Sequence, residues 1–519
     1  MPEGELIRSI KVGHSPDALA ITPDGRQVFV ANRFSNTVSI IDVAKNKVVK
    51  NISVEREPKA IAISADGKFI AVSNYIPYAA STDPFISAKI TLIDRQSLKV
   101  IKHVALANGS QSIEGLAFSN DSKYLYASHI LSSNQLPTTQ LEHGWMNANA
   151  LSILDVEAKE YHTTVLLDNF DLGAANPSGM DLSEDGKRLY IALSGVHELC
   201  MIDLVKMHHK IDAARNGNVG DPAATPFEEI SYDLRFLYGI KERVPTKGKS
   251  PRFVAVYKEK VFVSSYFSSG VEVFSYKRNV SGSMGKSLEK SLEISLGDEP
   301  EMSSSRRGEL FFCDANLCFQ NWQSCTSCHP GSRADGLNWD LLNDGTGNPK
   351  NGKSMLYAHF TPPVMITGIR DSAAIAVRAG IKYIQFTERP EADALDIDAY
   401  LKSLVPVPSP YLVKGRLTKN ARKGKEIFAK AGCISCHSGL YHSDGEKYDV
   451  GTGIERHKND SFDTPSLSEV WRTAPYLYDG RAKTMKEVFT EYNTENKHGR
   501  TSLLSGKELE SLVEYVLSL

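Results

Sequence analysis

The sequence predicts a mixed multidomain chain. An N-terminal all-β propeller occupies residues 1–300, and two mainly α units follow, 301–410 and 411–519. Three observations carry this reading. A strand–turn–strand pattern recurs at roughly forty-residue or longer spacing through the first part of the chain. After residue 300 the apolar pattern changes to a helical period. Finally, Cys325-Thr-Ser-Cys328-His329 returns as Cys433-Ile-Ser-Cys436-His437, one copy in each helical unit.

The first repeat runs from Pro16 through the Asp24-Gly25 turn to Phe29-Val-Ala-Asn32, then Thr37-Val-Ser-Ile-Ile-Asp42 and Val48 to Val54. The same order restarts at Pro58 with Asp66-Gly67, at Ile113 with Asp121-Ser122, and at Pro177 with Asp185-Gly186. A fifth copy starts at Pro251, where the turn has become Lys258-Glu-Lys260. Asp-Gly is the favoured two-residue hairpin connection, and repeated four-strand units are propeller blades. Phe29-Val-Ala-Asn32 resembles the repeat of the propellers named for Tyr-Val-Thr-Asn. Five copies are legible and seven is the norm of that group, so five to seven blades are expected, with seven favoured. Leu6 to Val12 reads as an outer strand completing the last blade.

Two insertions interrupt the repeats, around 128–150 and 204–232. Loops of this length on a rigid scaffold either cap a site or pack on a neighbouring domain. His208-His209 could suggest a metal pair, but adjacent side chains diverge on most backbones. Cys200 lies in an apolar strand and reads as core. Cys313 and Cys318 are either a disulfide or two buried thiols.

Two cysteines two residues apart with histidine next form the attachment signature of a c-type haem. The thiols add to the porphyrin vinyl groups and the imidazole reaches the iron from one face. Four of seven cysteines fall in two complete copies, which argues against a Cys/His zinc site or redox disulfides. Two covalent haems are therefore expected on Cys325, Cys328, His329 and on Cys433, Cys436, His437. Ser303–Asn316 and Thr418–Lys430 read as the helices entering each site, carrying Gly308…Phe311 and Gly424…Phe428. Gly, Asn and Asp crowd the stretch after His329, which suits a loop over a cofactor edge. Helical periodicity resumes at Asp371–Gly380 and Pro390–Leu401, Pro406 to Pro410 links the units, and Ser505-Gly-Lys-Glu508 is a capping box for a terminal helix.

The formal net charge of −2 and the absence of a polybasic run argue against nucleic acid as a partner. No apolar run approaches the roughly 18 residues of a membrane span. The opening MPEGELIRS has no leader pattern. Covalent haem attachment as a rule ends outside the cytoplasm, so an exported, periplasmic location is expected.

Residues 303–519 resemble the bacterial dihaem cytochrome c peroxidase/MauG superfamily. The paired haem motifs carry this, with Phe462-Asp-Thr-Pro-Ser-Leu467, Trp471-Arg-Thr-Ala-Pro-Tyr-Leu-Tyr-Asp-Gly-Arg481 and Thr484 to Tyr492. Propeller fusions to this module occur in the family at large, including relatives of hydrazine synthase subunits; the residues give no basis for that narrower assignment. The resemblance implies that the His329 haem reacts with hydrogen peroxide and the His437 haem relays electrons from a donor protein, a small cytochrome or a cupredoxin. It implies a second ligand for the His437 iron, His498 with Tyr492 as the alternative; Met485 reads as packing. It implies a distal acid–base group near the first haem among Gln385, Glu388 and Glu391, with Glu388 preferred and Gln385 next. His359 is a weaker candidate ligand. A calcium ion between the haem domains is usual in relatives, with Asn351 as its one candidate ligand here, and a homodimer is allowed. Two departures temper the peroxidase reading. The tryptophan that relatives place between the haems has no counterpart at Val377-Arg378-Ala-Gly380, leaving Trp471 or Trp339 to bridge, and Tyr478 stands where the family has histidine. The alternative function is a non-enzymatic dihaem electron carrier with the propeller as docking platform.

Overall fold

The computed structural model describes residues 6, 8–134, 146–217, 225–278, 286–341 and 347–519. Five antiparallel four-stranded sheets form its first part. They are β1 (Pro16–Ile21), β2 (Gln27–Asn32), β3 (Thr37–Asp42) and β4 (Lys47–Ser53); β5 (Pro58–Ile63), β6 (Phe69–Asn74), β7 (Lys89–Asp94) and β8 (Lys99–Ala105); and β9 (Ser110–Phe118), β10 (Tyr124–Ser132), β11 (Asn147–Asp155) and β12 (Glu160–Leu166). Two more follow: β13 (Pro177–Leu182), β14 (Arg188–Leu193), β15 (Glu198–Asp203) and β16 (Lys241–Pro245), then β17 (Pro251–Tyr257), β18 (Lys260–Ser265), β19 (Gly270–Arg278) and β20 (Lys286–Ser295).

These five sheets are the five repeats legible in the sequence, so the blade number among the described residues is the lowest of the expected range. A local device builds the first turn of the first four sheets. Thr22 Oγ1 donates to Asp24 Oδ1 at 2.6 Å, and Ser64–Asp66, Ser119–Asp121 and Ser183–Asp185 repeat the bond at 2.6–2.7 Å. The hydroxyl also accepts from the backbone N–H that starts the second strand, which closes the hairpin. The expected strand before Val12 is not formed: residues 8–12 are irregular, and β20 supplies the outer strand of the last sheet.

Adjacent sheets pack through their first strands in the order β1, β5, β9, β13, β17. Apolar side chains fill each gap, such as Phe29, Ile40, Ile70 and Val72 between the first two sheets. The series has two ends. β1 turns Leu19 and Ile21 to solvent, and β17 does the same with Phe253 and Tyr257.

The insertion after β15 forms α1 (Leu204–Arg215), whose Met207 and Ile211 join the core between the third and fourth sheets. His208 accepts or donates a bond with Tyr126 Oη at 2.7 Å and stacks on Tyr124, while His209 is exposed. The two rings diverge and make no metal pair. The other insertion is shorter than the sequence suggests, because β10 and β11 extend into it; His143 and Trp145 lie outside the described residues. Cys200 is core, and Cys313 and Cys318 are free thiols.

Each helical unit is closed by two crossing helices. In the first, α2 (Ser304–Cys313) crosses α5 (Glu391–Ser403); between them in sequence lie α3 (Cys325–Cys328) and α4 (Ala373–Tyr383). In the second, α6 (Lys419–Lys430) crosses α8 (Gly506–Leu517), with α7 (Met485–Thr490) before it. A glycine sits at each crossing. A Cβ on Gly308 would stand 1.8 Å from the Asp396 carbonyl oxygen, and one on Gly424 would stand 1.9 Å from that of Ser511. No other residue allows this approach. Four residues on, Phe312 faces Tyr400 and Phe428 faces Tyr515. Phe312, rather than Phe311, is thus the counterpart of Phe428. No helix among the described residues is long and apolar enough to cross a membrane.

Candidate haem-binding site

The second turn of each sheet and the links between sheets lie on one face of the propeller, and both helical units pack on it. A buried charge network marks one junction. Arg33 holds Glu57 at 2.8 Å, Arg472 reaches Glu57 at 3.6 Å and Glu469 at 3.7 Å, and Arg333 grips Glu469 with two bonds of 2.6 and 2.9 Å. Arg56 donates to the Arg472 and Ala474 carbonyls. Burial alone would raise the Glu57 carboxyl, but the guanidiniums of Arg472, Arg33 and Arg56 outweigh it and hold it at about 2. Trp471 packs edge-on against Phe34 at this junction and does not line the cavity described next.

Between the two helical units lies one continuous cavity of about 550 Å³. Cys325, Cys328 and His329 line it from the first unit, and Cys433, Cys436, His437 and His498 from the second. Phe312 and Phe428 add apolar wall. Backbone carbonyls orient both motif histidines: His329 Nδ1 bonds to Arg333 O at 2.9 Å and His437 Nδ1 to His442 O at 3.2 Å. With Nδ1 engaged as a donor, Nε2 of each neutral ring is free to bind a metal. Burial lowers both imidazole pKa values and so favours that neutral form.

The propeller grips the first motif directly. Asn176 Nδ2 donates to Ser324 Oγ at 2.7 Å and its Oδ1 accepts from Ser327 Oγ at 2.8 Å. Gln111 Nε2 donates to Ser327 O at 2.7 Å, Asn147 Nδ2 to Gln323 Oε1 at 2.8 Å, and Asn149 Nδ2 to Trp322 O at 3.2 Å. The motif itself gave no signal of these partners, which come from the third sheet and the link that follows it. Among the described residues, no propeller side chain binds the second motif in this way.

His498 faces His437 across the cavity, ring centres 6.3 Å apart. Two imidazole–metal bonds of about 2 Å plus the ring radii span roughly 6 Å, so the pair fits one metal held between them. Burial, then the neighbouring His437, pushes the His498 imidazole down to about 4. Asn493 pins the loop that carries it: its Oδ1 accepts from His498 N at 2.9 Å, and its Nδ2 donates to the carbonyls of His498 and Gly499. Tyr492 turns toward Arg481 and does not line the cavity. Met485 packs in the core of the second unit.

At the first motif the candidates separate. Gln385 is buried, lines the cavity and leaves Oε1 without a partner. Glu388 is exposed and outside the cavity, because the chain leaves the wall after the end of α4. Glu391 pairs with Arg378 at the surface. His359 lies 3.3 Å from Asp398 and does not line the cavity. Among the described residues, His329 is the one histidine of the cavity in the first unit.

Among the described residues, Lys350, Lys353, Arg370 and Lys497 line the cavity against a single carboxylate, Asp463, which bonds Lys353. This positive lining suits the propionates of a haem. Asn351 Nδ2 donates to Pro475 O at 2.6 Å across the units, while its Oδ1 is buried without a partner. No cluster of three or more His, Cys, Asp or Glu suited to a metal occurs among the described residues. Tyr478 lines the cavity, stacked on Phe462 and edge-on to His457.

The attachment motifs and the cavity between them define a c-type haem protein built on a propeller. Comparison with known proteins places it further. The Cytochrome D1 heme domain family matches residues 11–105 and the Cytochrome c family residues 421–519. Hydrazine synthase subunit gamma of Kuenenia stuttgartiensis is 30% identical over 271 residues, covering 41% of this chain and 77% of that protein. Hydrazine synthase subunit beta of the same organism is 27% identical over 195 residues, covering 36% of this chain and only 47% of that protein. Cytochrome-c peroxidase IdrP2 of Denitromonas iodatirespirans is 24% identical over 293 residues, covering 41% of this chain and 80% of that one. The chain belongs to the family of hydrazine synthase subunit gamma, within the dihaem cytochrome c peroxidase/MauG superfamily. The narrower relation is one that the motifs did not carry.

Proposed function

We propose that the chain is an exported oxidoreductase with two c-type haems, one on each Cys-x-x-Cys-His motif, in which the first meets hydrogen peroxide and the second relays electrons to it. The asymmetry of the cavity carries this reading: a second imidazole faces that of the second motif, whereas in the first unit His329 is the one described histidine of the cavity and Gln385 lines the wall. A c-type haem supplies an iron that exchanges electrons and, where a position is open, binds an oxygen ligand. His437 and His498 would close both faces of the second iron. His329 would hold the first from one side, leaving the other to a small molecule beside Gln385.

Gln385 has two donors and one acceptor to orient a peroxide, but an amide does not take up a proton at neutral pH. Proton movement at the first site would then pass through water, and peroxide turnover would be slower than with a carboxylate in its place. This favours using peroxide to oxidise a substrate over its rapid removal. A donor protein would dock beside the second motif, where Ile434 and Leu440 are exposed. A calcium ion at the unpartnered Oδ1 of Asn351 would tie the two haem units together.

Absorption and low-temperature EPR spectra of the oxidised and half-reduced holoprotein, before and after hydrogen peroxide, test the proposal. One low-spin and one high-spin or peroxide-responsive haem is the expected result. Two low-spin haems unmoved by peroxide in either state would leave an electron carrier instead.

A further inference from the structure

We propose that Trp339 is a redox-active residue that carries an oxidising equivalent from the first haem site toward the propeller. The inference rests on the peroxide reading of that site and adds the route by which oxidation leaves it.

Trp339 lines the cavity beside the first motif and packs in one cluster with Cys328, Leu337 and two propeller residues, Ile86 and Met146. The cluster that holds Trp339 therefore reaches from a haem-attachment cysteine to the propeller. Its indole Nε1 donates to Asp335 Oδ2 at 2.8 Å, and Asp335 is wholly buried, its Oδ1 accepting from Leu337 N at 2.9 Å. The segment is held rigidly: Ser81 Oγ donates to Gly336 O at 2.8 Å, and Asn338 Nδ2 donates to Ser81 O and Asp479 O.

Indole is among the most easily oxidised side chains. Loss of one electron leaves a cation whose N–H becomes strongly acidic. A buried carboxyl group at hydrogen-bond distance both offsets that charge and stands ready to share the proton. The other described tryptophans lack this arrangement. Trp322 Nε1 donates to the neutral amide of Gln320 at 3.3 Å, and Trp471 Nε1 has no partner; neither lines the cavity. The carboxyl group and the cavity position coincide at Trp339.

Hydrogen peroxide takes two electrons and two protons to become two waters. In the fully oxidised protein with no donor added, the Trp339 indole would give one electron and the bound haem the other, both protons would come from solvent water, and the indole N–H proton would pass no further than Asp335.

The test adds one equivalent of hydrogen peroxide to the oxidised holoprotein, freezes it, records the optical and EPR spectra and then maps oxidised peptides by mass spectrometry. The wild type should give an organic radical signal that narrows with ring-deuterated tryptophan, and oxygen adducts at Trp339. Trp339→Phe should abolish the signal and Asp335→Asn should weaken it about tenfold, the loss of a charge-assisted hydrogen bond, with Trp471→Phe unchanged. A haem that responds to peroxide while no adduct forms at Trp339, or while Trp339→Phe keeps the radical, overturns the inference alone. The mapping on wild-type protein decides this even if a variant loses its haem. Haem spectra that peroxide leaves unchanged would sink the peroxide reading and the relay with it.

Discussion

Glu57 is the centre of the buried charge network between propeller and haem units, and Glu57→Gln isolates its contribution. The substitution keeps the shape but leaves the guanidiniums of Arg33, Arg56 and Arg472 facing a neutral amide. The carboxyl falls from its ordinary 4.5 to about 2 in the folded chain. At about 1.4 kcal/mol per pH unit this is worth about 3 kcal/mol, within the ~3–5 kcal/mol lost when one partner of a buried pair is removed. Because the folded value is depressed, the stabilisation is fully present above about pH 4.5 and is lost as pH falls toward about 2. Urea unfolding of the holoprotein, followed by tryptophan fluorescence with Trp471 at the junction, measures it. Wild type should exceed Glu57→Gln by about 3 kcal/mol near neutral pH, and the gap should shrink steadily below about pH 4.5. A gap under about 1 kcal/mol at neutral pH, or one that does not narrow with acid, would refute the reasoning.

Three further outcomes follow from the cavity. His498→Ala should convert the second haem from low-spin to high-spin in absorption and EPR spectra, while Tyr492→Phe should leave the spectrum as it is. Asn493→Ala should broaden that low-spin signal and lower stability by about 1–3 kcal/mol, because its amide makes several buried bonds; an unchanged spectrum would mean that the loop holds His498 without it. At the first site Gln385→Ala should slow the reaction with peroxide by about 10²-fold and Gln385→Glu should speed it, whereas Glu388→Ala should stay within about twofold in stopped-flow traces.

What was legible in the sequence was local. The hydroxyl–Asp–Gly turns of the sheets, the two Cys-x-x-Cys-His motifs and the capped helices each depend on residues a few positions apart. What escaped depended on how distant segments meet. Gln385 and Glu388 are three residues apart, yet the end of α4 puts one in the cavity wall and the other in solvent. The grip of Asn147, Asn149, Asn176 and Gln111 on the first motif joins residues at least 148 positions apart along the chain. No periodicity records that. The outer strand expected before Val12 failed because β20, paired along β19, already filled its place.

The propeller's hold on the first motif has a consequence for biogenesis. In the folded chain, burial pushes the Cys325 thiol up to about 12, so almost none of it is the thiolate that thioether formation requires. Amide clamps on Ser324 and Ser327 also fix the pentapeptide against the bending that ligation to a porphyrin demands. Attachment of a haem at this motif would then come before it docks on the sheets, with the propeller closing last. At the second motif burial raises the Cys433 thiol as well, to about 11, but among the described residues no propeller side chain clamps it.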